Sequence, residues 1–239
     1  MVTSDRPYII CHMMSTIDGK IASGIKGVDI LDKDYFGLYL QIESALKGQA
    51  WMCGRVTMEM FASGVDTPLP DLNKHIDDAD YIAPNKEKSY VVATDTNGHL
   101  RWGKNTITLT NIPGDNHLVV VVTHQTHQKY LTYLQSKEIS YIFGGKDGID
   151  FELVFQKLKE KLNIDKLLLE GGGLLNGSVL AADFIDEISL LITPLALNRS
   201  NAPSVFDRKT TEELNVKKYK LFEVKPMEKD TVWLRYRRL

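Results

Sequence analysis

The chain has 239 residues, of which 43% are hydrophobic and 25% charged, and its formal net charge is −2. A chain of this length buries roughly 70% of its unfolded surface, so its core needs neither disulfides nor a structural metal. The near-neutral charge excludes a general attraction to nucleic acid or to an anionic membrane. Cys11 and Cys53 each lie in an apolar run, which predicts buried free thiols in a reducing compartment.

No apolar stretch reaches the ~18–20 residues that a membrane span requires. The first charged residues lie too close to a short apolar run for a signal peptide, which favours a cytoplasmic protein. The sequence contains no recurring period and no linker-like change of composition. We therefore expect a single domain over residues 1–239.

Apolar runs and amphipathic runs alternate along the chain, which predicts strands separated by helices. The predicted strands are 8–14, 50–53, 89–94, 118–123, 139–143, 166–170 and 187–193. The predicted helices are 33–47 with Asp32 as its N-cap, 56–61, 123–136, 151–162 with Asp150 as its N-cap, and 173–182. Runs 219–224 and 232–236 predict an antiparallel hairpin.

This order predicts an α/β fold with a mainly parallel central sheet, helices on both faces and an antiparallel hairpin at one edge. The polar stretches 63–90 and 95–117 are predicted as long loops. Loops of that length in a compact domain often form a functional site.

A first polar motif, residues 15–20, follows the first predicted strand. Asp18 and Lys20 place a carboxylate and an ammonium group at the carboxyl end of an inner strand, where α/β sheets bind ligands. Taken alone, these residues favour the alternative, which is a β-turn centred on Asp18 and Gly19 with a solvated Lys20.

A second motif lies where the strand 50–53 meets the next helix. Gly54 permits a close approach, Arg55 offers several donors to a phosphate, and Thr57 can reach an anion with its hydroxyl. The alternative is a surface arginine beside an ordinary helix start.

A third motif, Gly171, Gly172 and Gly173, lies between a buried strand and a helix. Glycines let a diphosphate approach the backbone, and the helix start offers free N–H groups. The spacing is not that of a Rossmann fingerprint, so a dinucleotide would bind in another way. A tight turn without a ligand is the alternative.

Two histidine-containing patterns are candidates for metal ligands. Cys11 and His12 are adjacent on a strand and point to opposite faces. His124 and His127 lie one helical turn apart without a third ligand at matching spacing. We therefore expect no metal.

The third motif and the residues after it resemble the reductase domain of the riboflavin-biosynthesis deaminase–reductase. The residues that carry this resemblance are 167–173, Asn176, Gly177, Leu180, Asp183, Asp186, Glu187, Ile192, Thr193 and Pro194. The first and second motifs resemble the other two signatures of that family, in the right order. The chain lacks the zinc deaminase signature H-x-E…P-C-x-x-C, and it carries Leu197, Asn198 and Arg199 where the family often has glycines.

The resemblance implies the dihydrofolate-reductase-like fold, NADPH as cofactor, a homodimer, and a phosphoribosylamino pyrimidine as substrate. From the chemistry of the residues themselves, we expect catalytic roles for Lys20, Asp18 and Glu170, and substrate contacts for Ser15, Asp18 and Glu170. The expected cofactor-binding residues are Gly54, Arg55, Thr57, Thr94, Gly171, Gly172, Gly173 and Leu174.

Two other functions stay open. A dihydrofolate or pteridine reductase has the same fold and places an acid on its first helix, where Glu43 is the candidate. A non-catalytic nucleotide-binding dimer module would bind NADPH without transferring hydride. Glu170 before the glycines and the first motif favour the riboflavin-type enzyme.

Overall fold

The computed structural model describes residues 5–21, 33–64, 67–71, 76–108, 114–208 and 216–239. The contacts divide the chain into two compact units. The central unit is built mainly from Gln49–Asp165, and the terminal unit from Tyr8–Gly48 and Lys166–Leu239. A single domain over residues 1–239 stays a prediction.

The strands follow the apolar runs of the sequence. They are β1 Tyr8–Thr16, β2 Ala50–Gly54, β3 Tyr90–Thr94, β4 Thr106–Thr108, β5 Asp115–Val122, β6 Ser140–Phe143, β7 Lys166–Leu169, β8 Glu187–Thr193, β9 Tyr219–Pro226 and β10 Val232–Arg238. The helices are α1 Lys33–Leu46, α2 Arg55–Met58, α3 Gln128–Ser136, α4 Phe151–Leu162 and α5 Gly173–Ala181.

The central unit contains a parallel sheet in which β3 lies between β2 and β5. β6 runs parallel to the second half of β5, and β4 runs antiparallel to its first residues. Val119, Val120, Val121 and Val122 have no exposed surface. A continuous apolar run of this kind is typical of a parallel strand that is covered on both sides.

The terminal unit contains a second set of paired strands. β1 lies between β7 and β8, and all three run parallel. β10 pairs antiparallel with β8, and β9 pairs antiparallel with β10. The predicted α/β fold with mostly parallel strands and a C-terminal antiparallel hairpin is confirmed.

Several boundaries differ from the predictions for local reasons. α3 starts at Gln128 instead of following Thr123 directly, because Thr123 and Thr126 close a turn through two hydrogen bonds. The three-residue strand β4 lies inside a stretch predicted as loop. Asp32, the predicted N-cap of α1, lies outside the described residues.

Other predictions hold. Asp150 caps α4, because its Oδ1 accepts a hydrogen bond from the Leu153 amide at 3.2 Å. Cys11 and Cys53 are buried and form no disulfide, as predicted. Within the described ranges, no helix combines the length and the apolar character that crossing a membrane requires.

Candidate functional site

The first motif forms a closed turn at the carboxyl end of β1. The Thr16 amide donates to the Lys20 carbonyl at 2.9 Å, and the Lys20 amide donates to Thr16 Oγ1 at 2.9 Å. Ser15 is buried, and its carbonyl accepts a hydrogen bond from Thr193 Oγ1 at 3.2 Å. The turn is therefore fixed to the parallel neighbour β8 as well as to itself.

Asp18 joins this turn to the segment after β8. Its carboxylate accepts hydrogen bonds from Thr16 Oγ1 at 2.6 Å and from the amides of Leu197 at 3.0 Å and Asn198 at 2.9 Å. These donors, with the Thr16 hydroxyl first, lower the pKa of Asp18 to about 2. Asp18 is thus ionised at neutral pH, where it orients groups but has no proton to donate.

Lys20 is partly exposed at the end of the same turn. Its Nζ donates to the Ala202 carbonyl at 3.4 Å, and its backbone forms a bridge with Ser204. The ammonium group therefore lies against the segment that follows β8.

The glycine motif forms the connection from β7 to α5. Gly171 has a φ of +92°, which favours glycine, and the peptide bond between Gly171 and Gly172 is cis. Gly172 is the N-cap of α5 and, as a glycine, offers no side-chain cap. Anion binding at the first N–H groups of this helix stays a prediction. Leu174 lies in this first turn and is exposed.

A loop of the same unit packs on one side of α5. A Cβ on Gly173 would overlap the Ser204 carbonyl, and one on Gly177 would overlap the Asp207 carbonyl. The Asp207 amide also donates to the Gly173 carbonyl at 2.9 Å. The sequence predicted a close approach by a ligand at Gly173, but the protein's own backbone occupies that side.

Glu170 follows β7 directly and leads into the glycine motif. One of its oxygens is buried, and its side chain is hydrogen-bonded to the side chain of Tyr39. Burial raises the pKa of Glu170 well above its ordinary value, and the charge of Glu43 raises it further. Glu43 is itself buried on α1. The site therefore contains an acid that holds its proton far more tightly than a solvated glutamate.

The strand register decides how these residues are arranged in the terminal unit. Cys11 is paired with Leu169, so Glu170 continues β7 beside the middle of β1. β1 continues for five residues beyond Cys11, to Thr16. At about 3.3 Å per residue, Glu170 and Thr16 are offset by roughly 13 Å along the strand direction. The first motif and the glycine motif follow neighbouring strands, as expected, but they lie at different positions along the strand direction.

The second motif lies in the central unit, at the carboxyl ends of β2 and β3. Gly54 is paired in register with Thr94. Arg55 begins α2 and forms an ion pair with Glu59 one turn later. Thr57 lies in the same short helix. Arg55 and Thr94 line a small cleft, so the structure places these two predicted residues together.

Further residues of this cleft were missed by the sequence reasoning. One is Ile149, and the others come from the turn after β3 and comprise Asp95, Thr96, Asn97 and His99. Asp95 is buried and accepts hydrogen bonds from the amides of His99 at 3.0 Å and Leu100 at 2.8 Å, and from Tyr130 Oη at 2.8 Å. A polar run directly after a buried strand was the available signal. Within the described residues, no cluster of three or more metal-ligating side chains is present.

Comparison with known proteins adds to this geometry. Residues 7–232 match the RibD C-terminal domain family. A 2,5-diamino-6-ribosylamino-4(3H)-pyrimidinone 5′-phosphate reductase of Methanothermobacter thermautotrophicus is 24% identical over 215 residues, which cover 87% of this chain and 88% of the relative.

Two solved structures share the fold. RibD of Acinetobacter baumannii has a TM-score of 0.66 at 18% identity, and the match covers 99% of this chain but only 59% of the other. A pyrimidine reductase-like protein of Corynebacterium diphtheriae has a TM-score of 0.67 at 15% identity, covering 98% and 92% of the two chains. This chain thus spans little more than half of the Acinetobacter protein. Because the family match extends over nearly its whole length, the chain belongs to the RibD C-terminal domain family.

Proposed function

We propose that this protein is an NADPH-dependent reductase that converts the ribosyl group of a 5-amino-6-(5-phosphoribosylamino)uracil-type pyrimidine to a ribityl group in riboflavin biosynthesis. The observation that carries the proposal is the family match over residues 7–232. The related pyrimidinone phosphate reductase supports this substrate class. A homodimer and a cytoplasmic location stay predictions from the sequence.

Two features of the chain fit a phosphate-rich nicotinamide cofactor. In the terminal unit, the start of α5 has no side-chain cap and follows a glycine with positive φ. In the central unit, the cleft beside Arg55 carries hydroxyl, amide and imidazole groups from Thr94, Asn97 and His99. Helix starts and arginines are common partners of phosphate. When bound, such a cofactor supplies a hydride.

The chain's own residues would handle the substrate and its proton. A C=N carbon accepts hydride readily only when its nitrogen is protonated or hydrogen-bonded, so a donor must lie near that nitrogen. Lys20 can supply this donor or bind the substrate. Asp18 and Ser15 would fix the turn that carries Lys20, and Glu170 would contact the substrate.

The proposal predicts a loss of turnover when Lys20 is changed. General acid–base assistance contributes about 10²–10⁴-fold, so we expect Lys20→Met to lower turnover at least about 100-fold. The Kd for NADPH should stay within a few-fold. The measurement is NADPH oxidation with the pyrimidine precursor, alongside a binding titration. Lys220→Met, an exposed lysine on β9, is the matched control.

Glu170→Gln should also lower turnover in this assay. Normal turnover by both Lys20→Met and Glu170→Gln would contradict the catalytic assignment. Binding of NADPH without oxidation by any pyrimidine or pteridine would support the non-catalytic module.

A dihydrofolate or pteridine reductase is the second candidate, and one observation favours it. Glu43 is a buried acid on the first helix, and burial raises its pKa to about 7. An acid of this kind could protonate a pterin. Oxidation of NADPH with dihydrofolate, and none with the pyrimidine precursor, would establish this alternative.

A further inference from the structure

Two buried glutamates meet in the terminal unit, around Tyr39. Glu43 lies one turn after Tyr39 on α1, so the two side chains share a helix face. Glu43 is 5% exposed, and its Oε2 has no hydrogen-bond partner among the described residues. Glu170 is hydrogen-bonded to Tyr39 and feels the charge of Glu43. Tyr39, whose hydroxyl donates to the His12 carbonyl at 3.2 Å, thus shares a helix face with one acid and a hydrogen bond with the other.

Two carboxylates in one buried cluster cannot both ionise without a large electrostatic cost. Burial raises the pKa of Glu170 well above its usual range, and the charge of Glu43 adds to this effect. Burial also raises the pKa of Glu43 to about 7. The pair therefore retains a proton at neutral pH, and its titration belongs to both residues together.

The groups that β1 contributes to the cluster carry no charge at neutral pH. His12 stacks on Tyr39 with ring centroids 4.2 Å apart, and burial lowers the pKa of His12 to about 4. Its Nε2 faces the Tyr39 carbonyl at 3.3 Å, and its Nδ1 faces Ser189 Oγ at 3.1 Å. Burial and the charge of Glu170 raise the pKa of the Cys11 thiol. Neither group competes for the proton of the glutamates.

The cation that acts on His12 is already paired with two carboxylates. Arg235 on β10 acts on His12, but its Nε donates to Glu187 at 2.7 Å and its NH1 group donates to Glu223 at 2.9 Å. These two carboxylates lie on β8 and β9. Arg235 is therefore not a counter-ion that would allow Glu43 and Glu170 to ionise together.

We propose that Glu43 and Glu170 share one proton at neutral pH, and that Glu43 is a positioning residue that keeps Glu170 able to donate it. This inference rests on the proposed function. A bound nicotinamide cofactor would supply the hydride for the new C–H bond, and the electron pair of the C=N bond would move to nitrogen. In this assignment Glu170 gives that nitrogen its proton and becomes a carboxylate, and Lys20 binds the substrate.

The two acids differ in their place along the chain. Glu170 leads directly into the glycine motif, whereas Glu43 lies within α1. Glu170 is therefore the member that we place against the substrate. The negative charge of Glu43 makes the loss of the Glu170 proton unfavourable.

The pH dependence of kcat/KM tests the role of Glu43. In the unmodified enzyme, kcat/KM should fall as rising pH removes the shared proton. In Glu43→Gln, the pKa of this fall should decrease by about 1 unit or more, because Glu170 loses a neighbouring negative charge. Glu152→Gln, which removes an exposed carboxyl on α4, should match the unmodified enzyme. An equal loss of activity at every pH would mean that Glu43 is only structural, and would overturn the proposal.

Infrared spectroscopy of the protonated carboxyl band provides a readout that does not depend on activity. The unmodified protein should show this band at neutral pH. Glu43→Gln and Glu170→Gln each leave one of the two acids in place. In each variant, the carboxyl band of the remaining acid should disappear at a lower pH than the band of the unmodified protein. An absent band in the unmodified protein, or a midpoint that neither variant shifts, would overturn the proposal. The protein could also show the expected spectra and yet never reduce the pyrimidine. That result would support the shared proton of Glu43 and Glu170 and would contradict the proposed function.

Discussion

Asp18 shows how a single carboxylate can hold two segments together. Its three hydrogen bonds favour the charged form, so its folded-state pKa of about 2 lies below the ordinary value of 3.8. A carboxyl group whose pKa is lower in the folded state than in the unfolded state stabilises the fold at pH values above its ordinary pKa. This stabilisation is lost as the pH falls through the folded-state pKa.

We therefore expect Asp18→Asn to be less stable than the unmodified protein at neutral pH. The difference should shrink as pH falls from 3.8 through about 2. Urea unfolding of both proteins at neutral pH and at the lowest pH where both fold measures this effect. A difference of the same size at both pH values would contradict the role of the charge.

Arg55 is the residue whose predicted role is the most direct to measure. A charge-assisted hydrogen bond to phosphate contributes about 1.5–3 kcal/mol. We expect Arg55→Ala to weaken NADPH binding by that amount in a calorimetric titration. Glu59→Gln is the matched control, because it removes the ion-pair partner of Arg55 and leaves the arginine in place. An unchanged Kd for Arg55→Ala would remove this residue from the cofactor site.

The site residues that the sequence did not predict are positioned by tertiary contacts. The sequence presents Glu43 only as an acid on a helix, because nothing in it indicates that Glu170 is hydrogen-bonded to Tyr39, four residues before Glu43. Asp95 was one polar residue in a turn-rich stretch, and its burial depends on Tyr130, which lies 35 residues later. Asp18 and Lys20 were predicted because they follow a strong apolar strand directly.

At the scale of elements, α5 illustrates why small residues are needed beside a helix start. Gly177 faces the Asp207 carbonyl so closely that any side chain would overlap it. Overpacking of this kind typically costs 1–3 kcal/mol. We expect Gly177→Ala to lower the free energy of unfolding by about 1–3 kcal/mol.

Gly37→Ala is the control for this change. Gly37 lies inside α1, and a Cβ there meets no described atom within 4 Å. Alanine is favoured over glycine in a helix by up to about 1 kcal/mol, so this variant should be slightly more stable. Chemical denaturation of both variants measures the contrast. Equal effects would mean that the loop does not pack on α5 as described.

The elements with strong hydrophobic patterns were predictable, and the weakly patterned ones were not. α4 has an apolar face and an aspartate cap, and β8 is rich in isoleucine and leucine, so both match their predicted bounds. β4 has only three residues, and only Ile107 is buried. It exists because β5 offers a free edge at Asp115–His117 in the central unit. The pairing of β4 therefore depends on β5, and the sequence of β4 alone does not indicate it.

At the scale of the whole molecule, the order of the chain differs from the order of the compact units. The terminal unit is assembled from Tyr8–Gly48 and Lys166–Leu239, and the central unit is inserted between these segments. A sequence pattern cannot reveal this, because both units alternate strands and helices in the same way. The family match crosses both units without a break, from residue 7 to residue 232.

This insertion has a consequence for synthesis on the ribosome. β1 emerges early, but both of its partner strands, β7 and β8, follow Asp165. At about 5–20 residues per second, translation of the intervening segment takes on the order of 10 s. During that time the apolar residues of β1 have no native strand to pair with, so the nascent chain is a natural client for a chaperone that binds short hydrophobic segments.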